Sequence, residues 1–400
     1  MTMAADKQDK VLNVPNLRFP EFTDEWKECE LKDIAIFSKG AGISKDQLSE
    51  TGESCILYGE LYTKYKSEVI SNVISKTDIE NSNLVWSKAN DVIIPSSGET
   101  AIDISTARCV PYDNILLGGD LNIIRLKDQD GRFFSYQLNG VRKLDIAQIA
   151  QGVSVVHLYG ESLKRLKVRY PSKSEQEKIS SLLSVLDERI ETQNRIIEDL
   201  KSLSDVICER LYTPSEKESW QTYKFTDLFS ISNERNSKLQ YTNVLSASQE
   251  YGMIERNELN IDIKFEASSI TNYKIVRPNQ YVIHLRSFQG GFAYSEKTGV
   301  CSPAYTILVP NEKLSTAFLK YYFTSKKFID SLRIVTYGIR DGRSISVEEF
   351  LQLKVTIPDI ARQQHIVQVM QLWEENIRTE EEYLSKLQQQ KKYLLSSMFI

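Results

Sequence analysis

From Ser174 to Tyr212 the chain contains neither glycine nor proline, and its apolar positions recur in alternating steps of four and three. The series is Ile179, Leu183, Leu186, Ile190, Gln193, Ile197, Leu200, Ser204, Ile207 and Leu211. Such a stripe predicts one long helix with a coiled-coil seam. A shift of 187 positions reproduces it as Ile366, Met370, Trp373, Ile377, Glu380, Leu384, Leu387, Lys391, Leu394 and Met398. In both series the polar breaks fall at the same two places, Gln193 with Glu380 and Ser204 with Lys391. These breaks either fix the register of a seam or mark positions where the seam opens to water. Two helices of about 39 residues would each extend ~58 Å, and each stripe finds its simplest partner in the other. Ser174 and Glu177 read as a capping box that starts the first helix.

The repeat extends upstream of the helices. YPSKSEQEKI (Tyr170 to Ile179) returns as IPDIARQQHI (Ile357 to Ile366), with Pro171 matching Pro358 and Gln176 matching Gln363. Leu166-Lys167-Val168 returns as Leu353-Lys354-Val355 at the same spacing. Trp26 to Gly40 resembles Trp220 to Glu234 at a spacing of 194, so the intervening segments differ in length. Lys88 to Gly98 and Arg277 to Ser287 each read as a turn, an apolar strand and a polar loop. Runs such as Asn122 to Leu126 and Tyr305 to Val309 add further strands.

This order predicts an α+β chain: two tandem mixed α/β domains joined by two long helices that form an antiparallel coiled coil with pseudo-twofold symmetry. The expected boundaries are residues 1–158 for the first globular domain, 159–214 for the central helix, 215–345 for the second domain and 346–400 for the last helix. Thr213 to Ser219 reads as the linker. Antiparallel helices would hold the two globular domains a fixed distance apart.

The stretch PNLRFPEFTDEWKECELKDIA (Pro15 to Ala35), the two P-x4-Q-x2-I helix starts and Asp187-Glu188-Arg189-Ile190 resemble the specificity subunit of type I restriction-modification systems, over nearly the whole chain. The resemblance implies that each globular domain is a target recognition domain reading one half of a bipartite site in double-stranded DNA. It implies that the helices set the unread spacer and dock two methyltransferase subunits, which bind S-adenosylmethionine and methylate adenine. A separate motor-nuclease subunit would bring ATP and Mg2+. No cofactor is expected in this chain, and the chain itself is expected to be non-catalytic. The alternative reading is a protein-interaction scaffold that does not bind DNA.

Composition narrows the choice. A hydrophobic fraction of 41% and a charged fraction of 26% are ordinary for a globular chain. The opening MTMAADKQDK is polar, and no apolar run suits a membrane span, so a cytoplasmic location is expected. The five cysteines are scattered and offer no metal-ligand spacing. A net charge of −4 argues against binding nucleic acid by bulk charge, so any DNA contact must come from local basic patches or from a basic partner. No GxxxxGK[ST] or DPPY-type motif is present. Asp262 and Lys264 in IDIK form the D-x-K of some nucleases, a triplet that also arises by chance. His157, His284 and His365 carry no acid–base pattern, and the pairs Asp187-Glu188 and Glu374-Glu375 read as a solvated helix face or a docking surface.

Candidate DNA contacts are donors on loops that follow strands, since Arg reads guanine and Asn or Gln reads adenine in pairs of hydrogen bonds. In the first domain they are Lys64 and Lys66, then Ser97, Thr100 and Arg108 in Pro95 to Arg108, then Gln151 and His157 in Ala150 to His157. In the second they are Arg286, Ser287, Gln289 and Tyr294 in His284 to Tyr294, and Arg340 and Arg343 in Tyr337 to Ser344. An ordinary polar surface loop is the competing reading for each.

Overall fold

The computed structural model describes residues 13–79, 83–215, 219–248, 251–256, 267–284, 291–332, 336–337 and 344–400. Contacts divide the chain into two units, Met1–Asn194 with Glu382–Ile400, and Arg195–Glu381. Each long helix, Lys173–Leu211 and Ile360–Ser397, therefore contributes one segment to each unit. The sequence reading had set the helices apart from the globular parts. The contacts group them otherwise because each helix segment supplies apolar side chains to a unit's core.

In the first unit a four-stranded antiparallel sheet has the order Ala35–Lys39, Leu121–Leu126, Asp91–Pro95, Arg108–Val110. In the second the order is Phe229–Ser232, Thr306–Pro310, Gln280–Ile283, Phe292–Ser295, again antiparallel. The strand entering each third position is preceded by the same turn. Asn90 and Asn279 adopt left-handed φ values of 81° and 67°, which Asn tolerates better than most residues. The Lys88 and Arg277 amides donate to the side chains of Asp91 and Gln280, each at 2.8 Å. The Asn side chains then accept from the amides of Gly131 and Ala317, where the next helix begins.

The two repeat spacings have a structural meaning. Lys27–Glu30 pairs with Lys167–Tyr170, from Lys27↔Tyr170 to Glu30↔Lys167. Gln221–Lys224 pairs with Lys354–Ile357, from Gln221↔Ile357 to Lys224↔Lys354. A shift of 194 carries the first strand of one ladder onto that of the other, and a shift of 187 carries the second. The drift of seven residues lies in the domain inserted between the two strands, and the register of the ladder is untouched.

Each ladder leads into a long helix through the repeated proline and glutamine. Gln176 is fully buried; its Nε2 donates to the Pro171 carbonyl at 2.9 Å and to Gln129 Oε1 at 2.7 Å, and its Oε1 accepts from the Asp130 amide at 3.1 Å. Gln363 donates to the Pro358 and Lys313 carbonyls, both at 2.9 Å, and accepts from the Ser315 amide at 2.8 Å. The helix starts at Lys173, so Ser174 sits inside its first turn and not at the cap, where the sequence reading had put it.

All twenty stripe positions are buried or half-buried. In the first unit Ile179, Leu183 and Leu186 share a core with Leu387, Leu394, Met398 and Phe399. The segments run antiparallel there, because Glu175 and Phe399 both meet Trp26 while Lys391 pairs with Asp187. In the second unit Cys208 and Tyr212 share a core with Ile366, Val367 and Met370, and Lys201 pairs with Glu381 at 2.7 Å. The opening motif straps onto the first unit. Arg18 forks onto Glu175 at 2.7 and 2.8 Å, and Trp26 packs edge-on to Phe133. Hydrogen bonding to buried Glu175 raises the Arg18 pKa against the cost of desolvation.

Replacing Gln176 or Gln363 by Ala removes three hydrogen bonds and strands buried partners. Each change is expected to destabilise its own unit by about 2–4 kcal/mol. Hydrogen exchange along residues 173–190 for Gln176→Ala, and along 360–377 for Gln363→Ala, reads the loss, with the other unit as internal control.

Candidate nucleic-acid interface

In the first unit the three predicted stretches converge. The short strand Ser97–Gly98 pairs with Val156–His157, in the register Val156↔Gly98 and His157↔Ser97. Gln151 and His157 exchange both backbone hydrogen bonds, at 2.9 and 2.7 Å, closing a hairpin over Gly152 to Val156. Gly152 turns it at a φ of 122°, where an added Cβ would lie 2.1 Å from the Val155 carbonyl oxygen. The third stretch approaches through Tyr62, whose hydroxyl lies 3.7 Å from where a Gly98 Cβ would stand. Burial raises the Tyr62 pKa, and Tyr58, Asp103 and Glu99 add to the effect.

The surface formed is polar with an apolar tip. Gln151, Ser154 and His157 are exposed, Val153 is 95% exposed and Val155 53%. The His157 and Tyr159 rings stack at 6.2 Å. Amide, hydroxyl and imidazole donors can hydrogen-bond base edges, and a valine can meet a thymine methyl. Of the two predicted lysines, one is engaged by a carboxylate. Lys64 reaches buried Glu60 at 2.6 Å, and Lys66 caps the Thr63 carbonyl while remaining exposed. Thr100 is exposed, and its hydroxyl caps the helix Ala101–Ile104 by accepting from the Asp103 amide. The surface is thus equipped to read bases better than to grip phosphates.

Three of the predicted contacts point inward. Arg108 is buried and donates to the carbonyls of Tyr65 and Ala107; desolvation lowers its pKa. It belongs to a strand of the main sheet, where a long side chain aimed at the core needs carbonyl partners. Ser97 is buried by its strand pairing. Tyr294 is buried beside Tyr281, its hydroxyl 3.4 Å from Asn279 Oδ1, and burial pushes its pKa up to about 12. Arg286, Ser287, Gln289, Arg340 and Arg343 lie outside the described residues, as do Asp262 and Lys264 of the possible nuclease triplet.

Asp187 corrects the reading of its acidic pair as solvated. It is buried, with bonds from Tyr136 and Ser67, while Glu188 is exposed. Among the described residues no group of three His, Cys, Asp or Glu is placed to hold a metal ion, and no helix is long and apolar enough to cross a membrane. Burial pushes the thiol of Cys55 up to about 11 and those of Cys208 and Cys301 up to about 12, which leaves them poor nucleophiles.

The long helices carry a second set of apolar residues, on a face that is exposed. Val185, Ile196 and Val206 lie on the first helix; Leu372, Tyr383 and Tyr393 occupy the positions 187 further on. All six are exposed. In the first unit a shallow groove is lined by Val185, Glu188, Arg189, Thr192, Gln193 and Tyr383. Sequence reading of the buried stripe missed this face; the signal was present as apolar residues one helical face away at the same repeat spacing.

The family model described as type I restriction modification DNA specificity domain matches the chain twice, over residues 23–202 and 217–389. The crystal structure of the type I restriction-modification system S subunit from M. genitalium is similar over 97% of this chain and 99% of that one, with a TM-score of 0.60 and 18% identity. A chain from a study of complex assembly and conformational transition of the type I R-M system is similar over 94% of this chain and 97% of that one, with a TM-score of 0.58 and 12% identity. At these identities the two structures show a shared fold.

The burial of Arg108 and the exposure of the hairpin tip lead to opposite expectations. Arg108→Met is expected to destabilise the first unit by about 1–3 kcal/mol, while Val153→Ser changes it by less than about 0.5 kcal/mol. Hydrogen exchange of the strand Leu121–Leu126 checks both.

Proposed function

Because the chain belongs to the type I restriction-modification DNA specificity family, we propose that it is the subunit that selects the DNA target, each unit reading one half of a bipartite sequence while the long helices carry two methyltransferase subunits. The observation that carries this reading is that the duplication reaches the surface as well as the core. Val185 with Leu372, Ile196 with Tyr383, and Val206 with Tyr393 keep exposed apolar character at matched positions. A core needs its inward stripe alone. An exposed apolar face that appears twice suits two copies of one partner.

On this reading the readers are the loops at the converging surface of the first unit and their counterparts in the second. Two half-sites about one duplex turn apart, ~34 Å, present the same groove to both readers. Joining the readers makes the second contact intramolecular and raises its effective concentration. The helices, continuous over 39 and 38 residues, set the unread spacer. The net charge of −4 assigns much of the phosphate binding to the partners. The chain makes and breaks no bond itself. S-adenosylmethionine belongs to the methyltransferase, ATP and Mg2+ to the motor-nuclease subunits, and the assembly works in the cytoplasm.

A single-molecule methylation map tests the reading, on DNA from cells holding the cognate methyltransferase with and without this chain. A bipartite adenine motif is expected only where the chain is present. Absence of any motif, with the methyltransferase active on another specificity partner, would favour a scaffold that does not bind DNA.

A further inference from the structure

The two polar breaks that interrupt the stripes are unequal, and the inequality is matched elsewhere. In the first unit Lys391 Nζ lies 2.6 Å from Asp187 Oδ1 and also bonds Glu68. Tyr136 and Ser67 donate to the other Asp187 oxygen at 2.7 and 2.8 Å. The side chains of Lys391, Glu68 and Asp187 are 16%, 10% and 8% exposed. This is an acidic socket closed by one lysine from the end of the second helix.

The second unit has a more open counterpart, in which Glu374 is 50% exposed and the cation comes from elsewhere. Tyr321 donates to Glu374 at 2.8 Å, as Tyr136 does to Asp187. Glu374 lies 187 positions beyond Asp187, at the repeat spacing, and Tyr321 lies 185 beyond Tyr136, in the corresponding short helix of the inserted domain. Here the lysine is Lys320, 3.0 Å from both Glu374 oxygens. At the position equivalent to Lys320 the first unit has Ser135, which caps the carbonyls of Glu68 and Ala107. At the position equivalent to Lys391 the first helix has Ser204. One unit draws its cation from a long helix and the other supplies its own.

We propose that Lys391 is a pairing determinant, by which the socket of Asp187, Glu68 and Tyr136 accepts the lysine-bearing end of the second long helix and rejects the serine-bearing end of the first. A serine end would leave two carboxylates buried with no cation, and breaking a buried pair in this way is far costlier than losing an exposed one. Burial alone would lower the Lys391 pKa, and the two carboxylates outweigh it, so the lysine stays charged. The two helix ends carry apolar residues at the same stripe positions, so the hydrophobic pattern alone distinguishes them poorly. The partner selected is a helix end with lysine at this seam position, from the same chain or from a second copy.

The test uses the full chain with residues 382–398 replaced by a copy of 195–211, which puts serine at position 391. Hydrogen exchange over residues 173–190 is expected to accelerate at least about tenfold, with residues 360–377 unchanged to show that the second unit is folded. Restoring lysine at that one position should recover more than half of the loss on a logarithmic scale. In an Asp187→Asn, Glu68→Gln background the advantage of the native end should vanish or reverse, because Lys391 would then be the buried charge without a partner. Unchanged protection on exchange would overturn the proposal. So would a smaller recovery by lysine, or a preference for the native end that persists in the neutral background.

Discussion

Gln176 and Gln363 each donate to the carbonyl of a proline five residues back, accept one amide, and donate once more to the segment ahead of a short helix. Both are buried, so an amide side chain is the smallest group that satisfies all these partners at once. The bond ties three things together: the end of the strand ladder, the first turn of the long helix, and the entry to the helix that packs on the sheet. Together with the apolar contacts of Ile179, Leu183, Ile366 and Met370, it fixes the angle at which each helix leaves the globular part.

The same junction explains how one chain can combine constancy with variation. The ladder strands Lys27–Glu30 and Lys167–Tyr170 bracket the first inserted domain, and Gln221–Lys224 and Lys354–Ile357 bracket the second. Every candidate DNA contact proposed from the sequence lies inside the brackets; the long helices lie outside. Insertions between the strands change loop length without altering the ladder. The sites at Asp187 and Glu374 differ in where their lysine comes from: Lys391 is on the second long helix, and Lys320 is inside the second inserted domain.

Much of this was legible in the chain. The stripe was read from spacing alone, since a helix buries positions by geometry, and its twenty positions all face inward to some degree. The spacings of 194 and 187 marked the repeat and its drift in length, while the pairing of those segments appears only in the structure. The contact residues were less legible. Arg108 and Tyr294 carry groups that could read DNA, but they sit in short strands buried at every position. Period-two facing over three or four residues leaves too little pattern to tell inside from outside. Convergence of Tyr62, Gly98 and the Gln151–His157 hairpin depends on tertiary pairing between strands of two residues, which local propensity does not encode. Asp187 was hidden for a similar reason: its partners Ser67 and Tyr136 are remote in sequence.

The central claim is that the bracketed domains read and the helices measure. The most direct measurement replaces residues 31–166, between the first ladder strands, with the matching segment of a family member of different specificity, and maps methylation in cells. The account predicts that one half of the motif changes while the other half and the spacer length stay fixed. A change in both halves, or in the spacer, would contradict it.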